Sequence, residues 1–193
     1  MPRPKILSDS DVLATALKLM HERGPEALTF AALAAATGLS GATLVQRFRS
    51  KAGLRQSALL RAWDGLDEKT AALASRVPKT PAGAVRLLVG LSRDYGGIEA
   101  YAEGLLVLRE DLRDPALRAR GATWRDILSA ALDECFAGVP HVPMGIGLML
   151  ASQWQGSLLW WGFEPSQPME RYVEKSLKRF VAAILASSKA PTP

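Results

Sequence analysis

Residues 29–51 read TFAALAAATGLSGATLVQRFRSK, and this stretch decides the fold of the first third of the chain. Two short segments with regularly spaced apolar residues are separated by residues 37–40 (TGLS), where Gly38 can take the positive-φ position of a tight turn. Ala34 lies four residues earlier, and its small side chain lets two helices approach closely. The spacing therefore predicts a helix-turn-helix.

The inner and outer faces of the predicted helix-turn-helix differ in polarity. An apolar seam would consist of Leu33, Leu39, Leu44 and Phe48. In a helix-turn-helix the second helix enters the major groove with its first residues toward the base edges, where glutamine can pair with adenine and arginine with guanine. The candidate DNA-contacting residues are Gly41, Ala42, Thr43, Gln46 and Arg47. Lys51, at the start of the next helix, suits a backbone phosphate. A plain helical hairpin with a solvated basic face fits the same pattern.

The charge of the chain is concentrated around this stretch. The formal net charge is +5, from 24 Lys and Arg against 19 Asp and Glu. Residues 1–63 contain nine of those bases and four of the acids, whereas 15 bases and 15 acids follow. Such an asymmetry points to a module that faces nucleic acid or a membrane surface, joined to a neutral one.

Helix signals extend in both directions from the central stretch. Ser8 and Asp11 have the spacing of a capping box for a helix over 9–23, and Thr29, Ser40 and Ser50 can cap helices over 30–37, over 41–48 and from Lys51 onward. Five longer segments follow, separated by proline and glycine clusters, and no run of alternating polarity occurs. The sequence therefore predicts an all-α protein of about nine helices.

The N-terminal part resembles the DNA-binding domain of TetR-type transcriptional regulators. The resemblance rests on residues spaced over 12–54: Val12, Leu13, Ala16, Leu19, Met20, Glu22, Gly24, Thr29, Leu33, Ala34, Gly38, Leu39, Ser40, Thr43, Leu44, Phe48, Ser50, Lys51 and Leu54. It implies a three-helix DNA-binding domain over 1–63, a helical effector-binding and dimerisation domain over 64–187, and we expect a disordered tail over 188–193.

The resemblance also implies a function. A homodimer would bind a palindromic operator in double-stranded DNA, and a small, largely apolar or aromatic effector would release it, so that we expect a repressor. By position, Thr29 and Lys51 would contact phosphate, and the segment from Ser40 to Arg47 would contain the recognition helix. Val45 departs from the pattern, because the family usually has a tyrosine there whose hydroxyl reaches a phosphate.

The last two predicted long helices suit a dimer interface. Residues 144–163 carry no charge, and residues 169–187 combine an apolar stripe with charged positions elsewhere. The candidate interface residues are Met149, Gln153, Trp160, Tyr172, Leu177, Phe180 and Ile184. A membrane-surface or helical interaction protein with a basic head is the alternative, in which residues 144–163 would dock or insert.

All five tryptophans lie from residue 63 onward, which suggests an aromatic effector pocket. The candidate pocket residues are Trp63, Tyr95, Tyr101, Arg109, Trp124, Gln153, Trp154 and Trp160. An aromatic side chain at helical spacing also fits ordinary core packing.

Catalysis, a metal site and a cofactor are not expected. The chain has two histidines and one cysteine, too few for a usual zinc site, and it lacks a phosphate-binding glycine loop. Cys135 cannot form an internal disulfide, which indicates a cytoplasmic protein.

Overall fold

The computed structural model describes residues 7–187, and every regular element within them is helical. Nine α-helices occur there: α1 Asp9–Arg23, α2 Phe30–Thr37, α3 Gly41–Phe48, α4 Lys51–Arg76, α5 Pro81–Ser92, α6 Ile98–Arg113, α7 Pro115–Glu134, α8 Ile146–Phe163 and α9 Met169–Ser187. Short 3-10 turns at Pro25–Ala27 and Arg93–Tyr95 precede α2 and α6. The predicted all-α fold of about nine helices is confirmed for the described residues, and the predicted tail at 188–193 lies outside them.

The first three helices begin at side-chain caps. Ser8 and Asp11 form a complete capping box at the start of α1. Thr29 and Ser40 cap α2 and α3, and the hydroxyl of each accepts a hydrogen bond from the backbone N–H three residues later, at 3.0 and 3.1 Å. Each cap satisfies a backbone donor that the first turn of a helix leaves without an internal partner.

One apolar core joins the helices of the N-terminal region. Its buried members are Val12, Ala16, Leu19, Met20, Leu28, Leu33, Leu44, Phe48, Leu54, Ala58, Leu59, Val107 and Leu117. Leu44 is completely buried and Phe48 is 8% exposed, so both point from α3 into this core. The apolar seam expected between α2 and α3 therefore fixes how α3 is rotated about its axis.

The chain forms two compact units. The first contains the residues up to Leu66 together with Ala102–Gly121, and the second contains Asp67–Tyr101 and the chain from Ala122 onward. Within the first unit, the Arg55 guanidinium pairs with the Glu110 carboxylate at 2.8 Å. The sequence boundary after Trp63 lies close to the first break, but no sequence signal places 102–121 in the first unit.

In the second unit, α9 packs against both α5 and α8. Trp154 is almost completely buried there, and its indole N–H donates to the Ser92 hydroxyl at 2.8 Å. The indole N–H of buried Trp124 donates to the Thr70 hydroxyl at 3.0 Å. Neither α8 nor any other helix within residues 7–187 combines the length and apolarity needed to cross a bilayer.

A buried carboxylate joins α4 and α6 in the first unit. The Trp63 indole N–H donates to Asp111 Oδ1 at 3.1 Å, and Asp111 is 9% exposed. Burial raises the pKa of Asp111 to about 6, against the opposing effect of the Trp63 hydrogen bond, while Asp114 and Glu110 raise it further by repulsion. The ionised form of Asp111 is therefore unfavourable in the folded protein.

The turn between α2 and α3 gives a test of backbone strain. Gly38 has φ +73°, and its N–H donates to the Ala34 carbonyl at 2.8 Å. A Cβ there meets nothing within 4 Å, so Gly38→Ala should cost about 1 kcal/mol through its left-handed backbone alone. Gly41→Ala is the matched control, because Gly41 also has open space but no positive φ. Equal unfolding free energies for the two variants in urea would contradict this account.

Asp111 gives a test of pH dependence. Because its folded pKa lies above the ordinary value of 3.8, its contribution to stability is greatest below that value and is lost as the pH rises through about 6. Asp111→Asn should therefore raise the free energy of unfolding at neutral pH by about 1–2 kcal/mol and reduce the difference between pH 4 and 7. Asp126→Asn removes an exposed carboxylate and is the control. A neutral-pH stability below wild type for Asp111→Asn would count against the buried-charge penalty.

Candidate nucleic-acid interface

The outward face of α3 is the first candidate surface. Gly41, Ala42, Val45 and Gln46 are exposed there, whereas Leu44 and Phe48 lie in the core. Successive residues of an α-helix are about 100° apart, so the four exposed residues share one side of α3. This side offers an amide, one isopropyl group and two positions small enough for close approach.

The hydroxyls at the start of α3 bond to each other. Ser40 Oγ and Thr43 Oγ1 are 2.9 Å apart, and Ser40 Oγ also accepts from the Thr43 N–H. Thr29 similarly caps α2 through its own hydroxyl. These predicted DNA-contacting residues therefore shape the beginnings of α2 and α3, where free backbone N–H groups favour an anion.

Arg47 lies on a different side of α3. Its Nη1 donates to the Leu7 carbonyl oxygen at 2.9 Å and to Asp9 Oδ1 at 3.2 Å, and its side chain is 25% exposed. The guanidinium is therefore held against the start of α1 rather than beside Gln46. No sequence signal marks this contact, because its partners lie 38 and 40 residues away.

Lys51 is also engaged within the protein. Its ammonium donates to the Glu26 carboxylate at 3.1 Å and to the Glu26 carbonyl oxygen at 3.3 Å. The hydrogen bond and charge of Lys51 lower the pKa of Glu26. The Lys51 side chain remains 43% exposed, and a phosphate that reached its ammonium would have to compete with the Glu26 carboxylate.

The predicted effector residues are divided between the two units. Trp63 and Arg109 lie in the first, where Trp63 bonds to Asp111 and Arg109 pairs with Glu110 at 3.0 Å. The second contains Tyr95, Tyr101, Trp124, Gln153, Trp154 and Trp160. The predicted set is therefore not gathered within either unit.

Aromatic rings do cluster inside the second unit. Tyr101 makes edge contacts with Tyr95 and Trp161, each with ring centroids 5.9 Å apart. Trp124 and Trp154 lie 6.3 Å apart and are both buried. Burial raises the pKa of Tyr95 to about 12, which agrees with its place among these packed rings. Trp161 is not among the candidate pocket residues predicted from the sequence. It belongs to this cluster because the fold brings it next to Tyr101, which lies far from it along the chain.

Two cavities lie along α9. An open groove of about 800 Å³ between α5 and α9 has Val85, Val89 and Val181 among its lining residues, together with Arg86 and Arg93. A second cavity of about 420 Å³ brings together Gln153, Tyr172 and Phe180, three of the residues predicted for the dimer interface. Gln153 is held there by a 3.0 Å hydrogen bond to the Ser176 hydroxyl.

The remaining predicted interface residues differ in exposure. Met149 and Trp160 are 39% and 65% exposed on α8, and Trp160 packs against Phe163 with ring centroids 5.7 Å apart. Ile184 is half-buried on α9. Leu177 is completely buried and belongs to the core of its own unit, where its side chain is not available to a partner. Within residues 7–187 no three or more His, Cys, Asp and Glu side chains gather in a way that suits a metal ion.

Comparison with known proteins connects this geometry to a family. Residues 12–58 match the model for bacterial regulatory proteins of the tetR family. No curated protein matches the chain significantly. The matched residues cover α2, α3 and most of α1, and they include the exposed face of α3.

Several solved structures have the same fold. A transcriptional regulator from Rhodococcus sp. Rha1 is similar with a TM-score of 0.70 and 21% identity, over 96% of this chain and 100% of the other. The TetR family regulator PfmR from Thermus thermophilus has a TM-score of 0.55 and 26% identity, over 91% and 97%. A protein from Saccharomonospora viridis, named for transcriptional regulation and solved with choline, has a TM-score of 0.71 and 20% identity, over 89% and 93%.

These comparisons confirm the resemblance inferred from the sequence. The chain has the fold of TetR-type transcriptional regulators, with a helix-turn-helix DNA-binding segment of that type near its N-terminus. The family and the similar structures consist of transcriptional regulators rather than enzymes.

Proposed function

We propose that this TetR-type chain is a ligand-responsive transcriptional regulator that binds a palindromic operator as a homodimer. It acts as a repressor, and a small, largely apolar or aromatic effector releases it from DNA. The observation that carries the proposal is the exposed face of α3 within the segment that matches the tetR family model. A DNA-bound regulator in a bacterium works in the cytoplasm.

The two parts of the chain have different proposed roles, which follow the uneven distribution of charge along the sequence. Residues 1–63 bind DNA, and residues 64–187 bind the effector and dimerise. In the first part, α3 enters the major groove with Gly41, Ala42 and Gln46 toward the base edges. Thr29 and Lys51 hold phosphates at the starts of α2 and α4, where helix N-termini attract anions.

The outward face of α8 supports dimerisation. Leu148, Met149, Leu159, Trp160 and Phe163 are all at least 39% exposed there. Exposed apolar groups of this size on one helix are typical of a protein-protein interface, and a two-fold dimer buries the same patch on both subunits. Gln153 of α8 lines a cavity together with Tyr172 and Phe180 of α9, the other helix proposed for the interface.

The effector acts by changing the population of dimer geometries. It favours a state in which the two recognition helices no longer match half-sites roughly 34 to 36 Å apart. Tyr101 and Trp161 are buried and pack edge to face, with Tyr95 against Tyr101. A flat or cationic effector that uses these three rings would therefore have to displace part of their packing. Choline, which the similar Saccharomonospora viridis structure contains, belongs beside aromatic compounds in a first panel of effectors.

The direct test is a binding selection on genomic DNA fragments, followed by addition of the effector panel. We expect the protein to retain particular duplexes in a salt-dependent way and to release them when one class of ligand is added. Binding to anionic liposomes, without salt-dependent binding to any duplex, would instead favour the alternative of a membrane-surface protein with a basic head.

Lys51 and Glu26 give a paired prediction. Lys51→Ala should weaken binding to all duplexes about equally and reduce the slope of log K against log salt by about 1. Glu26→Gln should tighten binding by up to about fivefold at low salt, because the Lys51 ammonium loses its competing carboxylate. Glu22→Gln neutralises a nearby acid that pairs with Lys18, and it is the control for overall charge. Equal gains from both glutamine variants would show that Lys51 is not the group being released.

Trp160 gives a test of the dimer. Trp160→Lys should shift the protein from dimer to monomer in sedimentation velocity, because it places a charge within an apolar interface. Leu112→Lys is the matched control, since Leu112 is 60% exposed on α6 and Trp160 is 65% exposed on α8. A Trp160→Lys protein that stays dimeric at wild-type concentrations would exclude the α8 face as the interface.

A further inference from the structure

The side chains of α3 divide into three groups around the helix axis. Leu44 and Phe48 point into the core, and Gly41, Ala42, Val45 and Gln46 face outward. Arg47 follows Gln46 by one residue and therefore points about 100° away from it. A groove-facing surface built on Gln46 thus has Arg47 at its flank.

The contacts of Arg47 make it unsuited to reading a base. A guanine contact needs two donors of the guanidinium aimed at O6 and N7. In this structure Nη1 is used by the Leu7 carbonyl and by Asp9, and three quarters of the side chain is buried. Pairing with a guanine would require Arg47 to give up these contacts with Leu7 and Asp9.

Without Arg47, the outward face of α3 consists of small or apolar side chains and one amide. Val45 is 45% exposed and presents an isopropyl group that can neither donate nor accept a hydrogen bond. Ala42 adds a methyl group one turn earlier. In the major groove, the apolar feature of a base pair is the thymine C5-methyl group, and glutamine pairs bidentately with N6 and N7 of adenine.

We infer that α3 reads its half-site as A·T pairs, with Val45 and Ala42 against thymine methyl groups and Gln46 on adenine. Arg47 is a positioning residue that holds α3 against the start of α1 through Leu7 and Asp9. The inference rests on the proposed function, because it specifies which base pairs the proposed DNA-binding surface recognises.

The test begins with selection of duplexes from a random library by the full-length protein. The recovered half-sites should contain A·T pairs at their invariant positions. Replacing each invariant thymine in turn by deoxyuridine removes only the C5-methyl group, and one such change should weaken wild-type binding by about fourfold. Val45→Ala should lose most of this difference between thymine and uracil while keeping its salt-dependent binding. Gln46→Ala should relax the preference for adenine at one position.

Arg47 is tested by a double-mutant cycle with Asp9. Arg47→Ala and Asp9→Ala should each lower the affinity for DNA, but each variant should select the same half-site from the library as the wild type. The affinity of the double variant should be no lower than that of Arg47→Ala. Arg47→Lys should restore part of the loss, since a lysine can still pair with Asp9. Circular dichroism and thermal melting establish that each variant is folded before it is compared.

Three results would overturn the inference while leaving DNA binding intact. They are invariant G·C pairs at the recovered positions, equal binding of thymine and uracil duplexes by the wild type, and a changed base preference at one position in Arg47→Ala. Failure to bind any duplex at any salt concentration would reject the proposed function itself, and the inference with it.

Discussion

The burial of Leu44 and Phe48 is the constraint on which the outward face of α3, the proposed DNA-binding surface, depends. These two side chains lie four residues apart on α3, and their insertion into the N-terminal core leaves one rotation of that helix available. The rotation in turn decides that Gln46 faces outward and that Arg47 reaches the start of α1. Packing in the core thus selects which polar groups a nucleic acid can meet.

The N-terminal helices were predictable because their signals are local. Ser8, Thr29 and Ser40 each satisfy a backbone donor three residues away, and Gly38 supplies the one positive φ between α2 and α3. The contacts of Arg47 and Lys51 were not predictable, since Asp9 and Glu26 carry no periodic or motif signal that identifies them as partners. The same limit applies to residues 102–121, which join the first unit through contacts between distant parts of the chain.

The tryptophans show why a count of aromatic residues does not define a pocket. The indole N–H groups of Trp63, Trp124 and Trp154 each have a partner within the protein: Asp111, Thr70 and Ser92. Trp160 is exposed, and it packs against Phe163 on the outer side of α8. The sequence shows how many tryptophans there are and where they lie along the chain. It does not show whether a ring points inward or outward, because helix packing sets that direction.

The ion pair between Lys51 and Glu26 has a consequence for how such a protein would search a chromosome. A phosphate that approaches Lys51 must displace a carboxylate that is already 3.1 Å from its ammonium. If Lys51 holds a phosphate as proposed, this exchange weakens every encounter with DNA by a similar amount, because phosphates are the same in all sequences. Encounters at wrong sites therefore end sooner, and the time spent on base pairs without the matching sequence becomes shorter.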